Sequence, residues 1–290
     1  MSASRSGVSS RSADLEAALA VARDQGVVAG SPELLHEGSS VIVRLAPGGP
    51  VARVGGLTAA VRDLAQHYAR EVAIAAWLHR LGAPVVAPWD PAGPFERDGR
   101  MVTFWCEAPE GPLPPGPAAG DALRRCHHAL RAYDEHLPPV TFLLEEAGRV
   151  VRGLGLASDD RALIEKALRS ATEAIEAASL PAQPLHGDAG MGNVLGEGLW
   201  NDWEDCCVGP IAWDLGCLVS TARILGTDRA RAEAALAAYG DAPGLDSLEL
   251  FVRARGAQTL AWSALTEQRG HRPRERTQRR LEWLRGQELV

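Results

Sequence analysis

Three side chains at fixed offsets constrain this chain more than anything else in it. Asp188 lies in the run Leu185-His186-Gly187-Asp188-Ala189-Gly190-Met191-Gly192-Asn193-Val194-Leu195. Asn193 follows five residues later and Asp202 nine after that, within Trp200-Asn201-Asp202-Trp203-Glu204-Asp205. Phosphoryl transfer from ATP demands such a set. One carboxylate must orient and deprotonate an attacking hydroxyl, and oxygen ligands must hold magnesium on the phosphates. A hard cation takes Asp and Asn oxygens and avoids sulfur. Taken singly, Asp188 and Asn193 would be an Asx-rich turn and Asp202 a solvated loop acid. Taken together and in this order, they have a chemical reason to coexist.

The pattern continues through Gly209-Pro210 and Trp213-Asp214-Leu215. His-Gly-Asp-x-x-x-x-Asn, then Asp-Trp-Glu, then these two groups, resembles the aminoglycoside phosphotransferase family of small-molecule kinases. In protein kinases, relatives of that family, the matching signature is His-Arg-Asp with an Asn five positions on, then Asp-Phe-Gly. The resemblance is strong over residues 185 to 217 and collinear but weaker from about 35 to 110. It implies a two-lobed, protein-kinase-like α+β fold. Residues 1–107 would form a small antiparallel-sheet lobe with one long helix, disordered over 1–12. Residues 108–290 would form a larger, mainly helical catalytic and substrate-binding lobe.

The resemblance also implies roles. Asp188 would be the catalytic base, and Asn193 and Asp202 the Mg2+ ligands. His186 would hold the catalytic loop in shape, and Asp214 would brace it through backbone N–H groups. ATP would be the co-substrate. Two departures stand out: Asn201 replaces the aliphatic residue that often precedes the acid, and the link from Asn193 to Asp202 is short. Val194-Leu195 and Leu199-Trp200 can pair as a tight hairpin across Gly196-Glu197-Gly198. Asp205 is the alternative metal ligand if the register differs.

Upstream, Val41–Leu45 and Val51–Val54 alternate as strands about Pro47-Gly48-Gly49-Pro50, a hairpin signature. Glu37-Gly38-Ser39-Ser40 stands where a kinase has its glycine-rich loop. It has one glycine, so Ser39 and Ser40 are either a phosphate cradle or an ordinary turn. Arg53 stands where a kinase puts its phosphate-pairing lysine. A helix is expected from Thr58 to Leu81, with Val61, Leu64, Tyr68, Ala75 and Leu78 as its apolar stripe. Glu71 falls on that stripe, and a carboxylate on a buried face needs a partner. Arg53 fits the kinase arrangement; Arg70 on the same helix is the alternative. Met101–Cys106 is a strand, and the Pro/Gly-rich stretch after it is the expected lobe boundary. The resemblance puts backbone atoms near Cys106 and Ala108 against the adenine edge.

Composition excludes several classes. The 290-residue chain has a net charge of −7, which argues against general nucleic-acid binding. No apolar run reaches the length of a membrane span. The Ser/Arg-rich start lacks the apolar core of a secretion signal. Five cysteines without Cys-x-x-Cys spacing suggest reduced, cytosolic thiols. Lys166 is the only lysine, so a Walker A loop is excluded and any side-chain cation on the phosphates is expected to be an arginine. There is no Gly-x-Ser-x-Gly elbow for a hydrolase.

Further helices are expected over Ala13–Gln25, Ala118–Leu137, Asp159–Ser179, Ile211–Leu225, Asp228–Tyr239, Ser247–Glu267 and Arg274–Leu289. His127 and His128, on the second of these, read as packing and surface residues. The helices after residue 225 and a loop over 138–160 would supply the acceptor site. Asp241, Asp246, Glu249 and Glu267, and the aromatics Phe251 and Trp262, are candidates by location only. The sequence therefore supports an ATP- and Mg-dependent cytoplasmic kinase of a small-molecule alcohol, such as an aminoglycoside or other antibiotic. A metabolic kinase of a sugar, amino alcohol or homoserine-like compound uses the same chemistry. A catalytically silent kinase-fold binding protein is the alternative of another class. Neither a nucleic-acid nor a membrane partner is expected, and nothing in the sequence fixes an oligomeric state.

Overall fold

Val41 and Val43 on one strand, and Ala52 and Val54 on the next, alternate with Ile42 and Arg53, and this period of two builds a sheet. The computed structural model describes residues 4–38, 40–55, 61–242, 244–270 and 274–287. Five antiparallel strands run in the order β1-β2-β3-β5-β4. They are β1 (Glu33–Glu37), β2 (Ser40–Arg44), β3 (Val51–Gly55), β4 (Phe95–Arg97) and β5 (Arg100–Trp105). In this register Arg53 faces Ile42 on one side and Thr103 on the other. Strands β1 and β4 are edges added to the three that the sequence signals.

Helix α1 (Ser4–Asp24) covers one face of the sheet. Its Ala18, Val21 and Ala22 share a core with Val41, Val43, Ala52, Val54, Val102 and Phe104. The helix runs back to Ser4; residues 1–3, part of the stretch expected to be disordered, lie outside the described residues. With α1 on the Ala52–Val54 face, Arg53 turns to the opposite face, toward α2 (Leu64–Arg80). Helix α2 starts at Leu64 rather than Thr58; Asp63 caps it, accepting the Gln66 N–H at 3.2 Å. Residues 56–60 lie outside the described residues.

The remainder is mainly helical: α3 (Gly116–Leu130), α4 (Thr141–Gly153), α5 (Ser158–Ala177), α6 (Ile211–Leu225), α7 (Arg229–Tyr239), α8 (Leu248–Gln268) and α9 (Arg274–Arg285). The segment expected as a loop over 138–160 contains α4. Leu143, Leu144, Ala147, Val150 and Val151 recur at helical spacing there and are buried. Two small ladders punctuate the helices. Strand β6 (Ala182–Leu185) pairs with β9 (Cys207–Pro210), and β7 (Val194–Leu195) pairs with β8 (Leu199–Trp200). They fix the two ends of the loop that carries Asp188, with fully buried Trp200, Trp203 and Trp213 beneath it. All five cysteines are free, and no described helix is long and apolar enough to cross a membrane.

Helices α3 and α7 meet backbone to backbone. A Cβ at Gly120 would collide with the Ala235 carbonyl oxygen, and one at Gly116 with that of Arg231. Main-chain atoms of a packed helix cannot step aside cheaply. Gly120→Ala is therefore expected to destabilise the protein by about 1–3 kcal/mol. That is the reverse of the roughly 1 kcal/mol that alanine normally gains over glycine in a helix. Thermal melting checks it; an unchanged or raised Tm would contradict the close approach.

Candidate active site

The loop after β6 is shaped by one glycine and one carboxylate. Gly187 has φ 84°, and a Cβ there would collide with the Asp205 carbonyl oxygen, so a side chain is barred between His186 and Asp188. Asp214, fully buried in the first turn of α6, accepts the His186 N–H at 2.8 Å and the Gly187 N–H at 2.9 Å. His127 Nε2 lies 2.8 Å from the same carboxylate, and His127 Nδ1 lies 2.8 Å from the Tyr239 hydroxyl. Burial acts to raise the Asp214 pKa, but His127, His186 and the amide donors outweigh it and hold the carboxyl below its ordinary range. His127 is thus neither surface nor mere packing. Its signal in the sequence is weak, because its partner lies 87 residues away. His128 is exposed.

His186 is buried and braces the same loop. Its Nδ1 accepts the Asp188 N–H at 3.2 Å, so the proton sits on Nε2 and is donated to the Asn201 carbonyl at 2.9 Å. Burial lowers its pKa and keeps the ring neutral. The ring packs against Trp203 and Trp200, with centroids 4.3 and 5.4 Å away. The Asn193 side-chain nitrogen donates to the Asp188 carbonyl at 2.9 Å, which leaves its oxygen as the end available to a cation. Asp202 takes a left-handed backbone conformation, φ 63° and ψ 54°, at the head of the short 3₁₀ turn Trp203–Asp205.

On the sheet side, Arg53 Nη1 lies 2.7 Å from Glu71 Oε1, with both side chains buried. The same guanidinium reaches Glu204 at 2.6 Å and Asp202 at 2.8 Å, and sits 4.8 Å over the Tyr68 ring. Ser40 behaves otherwise than expected of a phosphate cradle. Its hydroxyl is buried against the Tyr68 hydroxyl at 3.2 Å and Arg53 Nε at 3.3 Å. It positions the cation rather than facing the cleft. Ser39 lies outside the described residues. The Cys106 N–H donates to the Ala87 carbonyl at 2.9 Å, so that amide is already used. Ala108 follows on the same extended connection between the sheet and α3.

Sequence reasoning missed Arg62, which precedes α2 and is buried. It lies 2.8 Å from Asp205, 3.1 Å from both Glu146 and Glu204, and 4.2 Å over the Trp262 ring. His67, Glu146 and Asp205 stand close enough to share an ion, yet Arg62 is already the cation of that group. It also occupies Asp205, the alternative metal ligand.

Asp188, Asn193, Asp202, Glu204 and Asp205 line one cavity of about 480 Å³. A second missed residue, Arg255 of α8, closes on Asp188 through Nη2, while its Nη1 donates to Gln258 Oε1 at 2.5 Å. Burial pushes the Asp188 carboxyl up to about 7; Arg255 opposes the rise, and Asp205, Asp202 and Glu204 add to it. Burial likewise pushes Glu71 up to about 8 against the pull of Arg53. Six carboxylates (Glu71, Glu146, Asp188, Asp202, Glu204, Asp205) here meet three guanidinium groups (Arg53, Arg62, Arg255). The excess negative charge, and the oxygen-only ends of Asn193 and Asp202, suit a hard divalent cation.

Of the acceptor-side candidates, expected by location only and read first as solvated or core side chains, one reaches the cavity. Asp241, Asp246, Glu249 and Glu267 do not line the cavity. Glu249 and Glu267 instead lie at the surface near Arg223 and Arg274, 3.6 and 3.9 Å away. Phe251 is fully buried core, its Cβ against Gly216, whereas Trp262 does line the cavity.

Comparison with known proteins gives the family and the fold. Residues 34–251 match the phosphotransferase enzyme family, well over half of the chain. No curated protein sequence matches it. Among solved structures it is similar to the choline kinase LicA from Streptococcus pneumoniae, with a TM-score of 0.66 at 13% identity, covering 93% of this chain and 99% of that one. A choline/ethanolamine kinase family protein from Mesorhizobium loti gives 0.61 at 18%, covering 88% and 87%. The aminoglycoside phosphotransferase APH(3'')-Id from Streptomyces rimosus gives 0.59 at 20%, covering 84% and 98%. These likenesses show a shared two-lobed, kinase-like fold. The chain belongs to the phosphotransferase enzyme family and is a small-molecule kinase.

Proposed function

We propose that this protein transfers the γ-phosphoryl group of ATP to a hydroxyl of a small molecule, with Asp188 as the base. One observation carries the reading: Asp188, Asn193 and Asp202 line a single cavity, and the Arg53–Glu71 pair adjoins it through Asp202, 2.8 Å from Arg53. Asp188 accepts the acceptor's proton while Arg53, fixed by Glu71, Glu204 and Ser40, holds the nucleotide phosphates. Asn193 and Asp202 would hold magnesium, which when bound neutralises charge on the phosphates. Positioning and charge stabilisation supply most of the rate in such transfers. His186 and Asp214 fix the loop. The adenine would lie against the backbone from Cys106 to Ala108, with the lobes dividing at about residue 107. Free cysteines throughout favour a cytoplasmic setting. A silent binding protein has no chemical reason to keep Asp188, Asn193 and Asp202 together.

The direct test is transfer from labelled ATP with magnesium to hydroxylated compounds, with Asp188→Asn beside the native protein. The variant should lose about 10²–10⁴-fold in kcat and still bind ATP; native turnover in it would remove Asp188 as the base. Arg53 is better tested with lysine than alanine, because alanine would leave three carboxylates without their cation. Arg53→Lys keeps the charge but not the fork. It is expected to raise the KM for ATP about tenfold, and an unchanged KM would separate Arg53 from the nucleotide.

Asp214→Ala would orphan two buried amides and His127. It is expected to cost at least about 3 kcal/mol at neutral pH. Asp214 has a depressed folded-state pKa, so its contribution is present above the ordinary carboxylate value of 3.8 and is lost as the pH falls through the folded value. The stability gap between native and variant should therefore narrow on acidification below about pH 4. Chemical denaturation across pH checks this, and a gap that stays constant or widens would contradict it.

A further inference from the structure

The cavity has a second side, and its charge is the opposite of the first. Beyond Asp188 its walls come from α6, α7, α8 and α9, and they bring Arg231, Arg255, Arg276 and Arg280 to the same space. The one carboxylate on these walls is Asp228, whose Oδ2 is 3.1 Å from Arg231 Nη1. The other acids at the cavity, Asp188, Asp202, Glu204 and Asp205, form the base, the magnesium end and the Arg53–Arg62 web described above. A cationic acceptor would meet like charge here with no free acid to receive it.

Two of these arginines have donors to spare. Arg231 gives Nε to the Pro114 carbonyl at 2.7 Å, which holds its guanidinium in place. Its Nη2 is buried without a hydrogen-bond partner among the described residues. Arg276 is exposed and makes no hydrogen bond or ion pair among the described residues. Arg280 is buried on α9, one helical turn after Arg276, so the two share a face. An arginine fork matches a carboxylate or a phosphate. Thr221, Thr259 and Ser263 add hydroxyls to the lining, and Trp262 an indole wall with its N–H buried and unpartnered among the described residues.

We propose that the acceptor is a hydroxylated oxyanion, a hydroxy acid or a hydroxylated phosphate ester, whose anionic group is held by Arg231, Arg276 and Arg280 while its hydroxyl faces Asp188. This rests on the reading that Asp188 takes the acceptor's proton. In the transfer, the acceptor O–H bond breaks and its proton passes to Asp188. A new O–P bond forms to the γ-phosphorus as the bond to the β–γ bridging oxygen breaks, releasing ADP. Arg255 lies between the two functions. Its contact with Asp188 orients the base, and it adds positive charge beside the acceptor. The shared chemistry is a fixed anion near a free hydroxyl, and of the two classes named at the sequence level this favours the metabolic acceptor over a polycationic antibiotic.

Matched probes test this with the full chain saturated by MgADP, so that anions cannot enter through the nucleotide site. Glycerate is compared with glycerol, glycerol 3-phosphate with glycerol, and glucose 6-phosphate with glucose, beside choline and kanamycin. Binding is read by calorimetry and melting temperature. The anionic member of at least one pair should bind at least about tenfold more tightly than its neutral partner, and that advantage should fall about tenfold in Arg231→Gln and in Arg276→Gln. Whether the carboxylate or the phosphate pair shows it identifies the source of the charge. Arg276 is exposed, so Arg276→Gln retains the test if the Arg231 variant fails to fold. Tighter binding of choline or kanamycin, no preference for any anion, or a preference that both variants retain would overturn the proposal. Failure of the kinase reading looks different: no phosphate would pass from labelled ATP to the anion that binds best, whereas that anion would still bind in an arginine-dependent way.

Discussion

A single buried carboxylate, Asp214, holds the loop on which the chemistry depends. Its oxygens take the two amides that precede Asp188, His186 N–H and Gly187 N–H, and the His127 ring fills the remaining side. Each of these donors would be costly to bury alone, and so would the acid. Because the three come from the loop, α6 and α3, satisfying them fixes the loop against both helices at once. The backbone is then narrowed further. Gly187 must be glycine, its carbonyl accepts the Trp213 indole N–H at 2.8 Å, and the Asp188 N–H ends on His186. The Asp188 side chain is set by a chain of obligations that begins at Asp214.

The sheet is tied to the helical lobe by arginine and carboxylate as well as by the apolar core that Trp105 and α2 share with it. Glu204 receives Arg53 from β3 on one oxygen and Arg62 on the other, at 2.6 and 3.1 Å. Arg62 continues to Glu146 of α4, and Arg44 of β2 donates to Glu107 at 2.6 Å, just past β5. Buried pairs of this kind add little net stability over apolar packing, because desolvation offsets most of the attraction. What they add here is geometry with charge left over. Burial, with the neighbouring acids adding to it, makes Asp188 and Glu71 hold their protons more tightly than exposed carboxylates do. A divalent cation suits that imbalance of charge. A dry apolar seam would offer it nothing.

What the sequence disclosed and what it hid divide along one physical line. Asp188, Asn193, Asp202 and Asp214 sit within 27 residues of one another, so their spacing is visible as a pattern. Glu71 is legible because a carboxylate on an apolar helical stripe is a local anomaly, and Arg53 because the resemblance aligns it with a kinase's phosphate-pairing lysine. The residues that escaped depend on distant partners. His127 needs Asp214, 87 residues on, and Arg255 needs Asp188, 67 residues back. Arg62 finds Glu204 142 residues away, and nothing near it in the chain marks it as buried. Helix α4 is a different case: its apolar residues recur at helical spacing in plain view. Ser40 was placed by homology of position, whereas its hydroxyl answers to Tyr68 and Arg53, which only the folded sheet brings near.

The near absence of lysine ties these observations together. With Lys166 alone as an ammonium, every buried cation in this protein is a planar fork. A lysine at position 53 could direct its charge at Glu71, but an ammonium presents no pair of coplanar donors to divide among Glu71, Glu204 and Asp202. Arg53 does so, and that lets one residue hold α2, the 3₁₀ turn and a metal-side acid in a single arrangement. The same property acts across the cavity. Arg255 bonds Asp188 with one nitrogen and Gln258 with another, and Arg231 is anchored through Nε and Nη1 with Nη2 left over. Guanidinium groups that are fixed at one edge and still able to donate from the other make a rigid receptor for oxyanions. On the nucleotide side the proposed oxyanions are phosphates, and on the far side the same chemistry would select the acceptor.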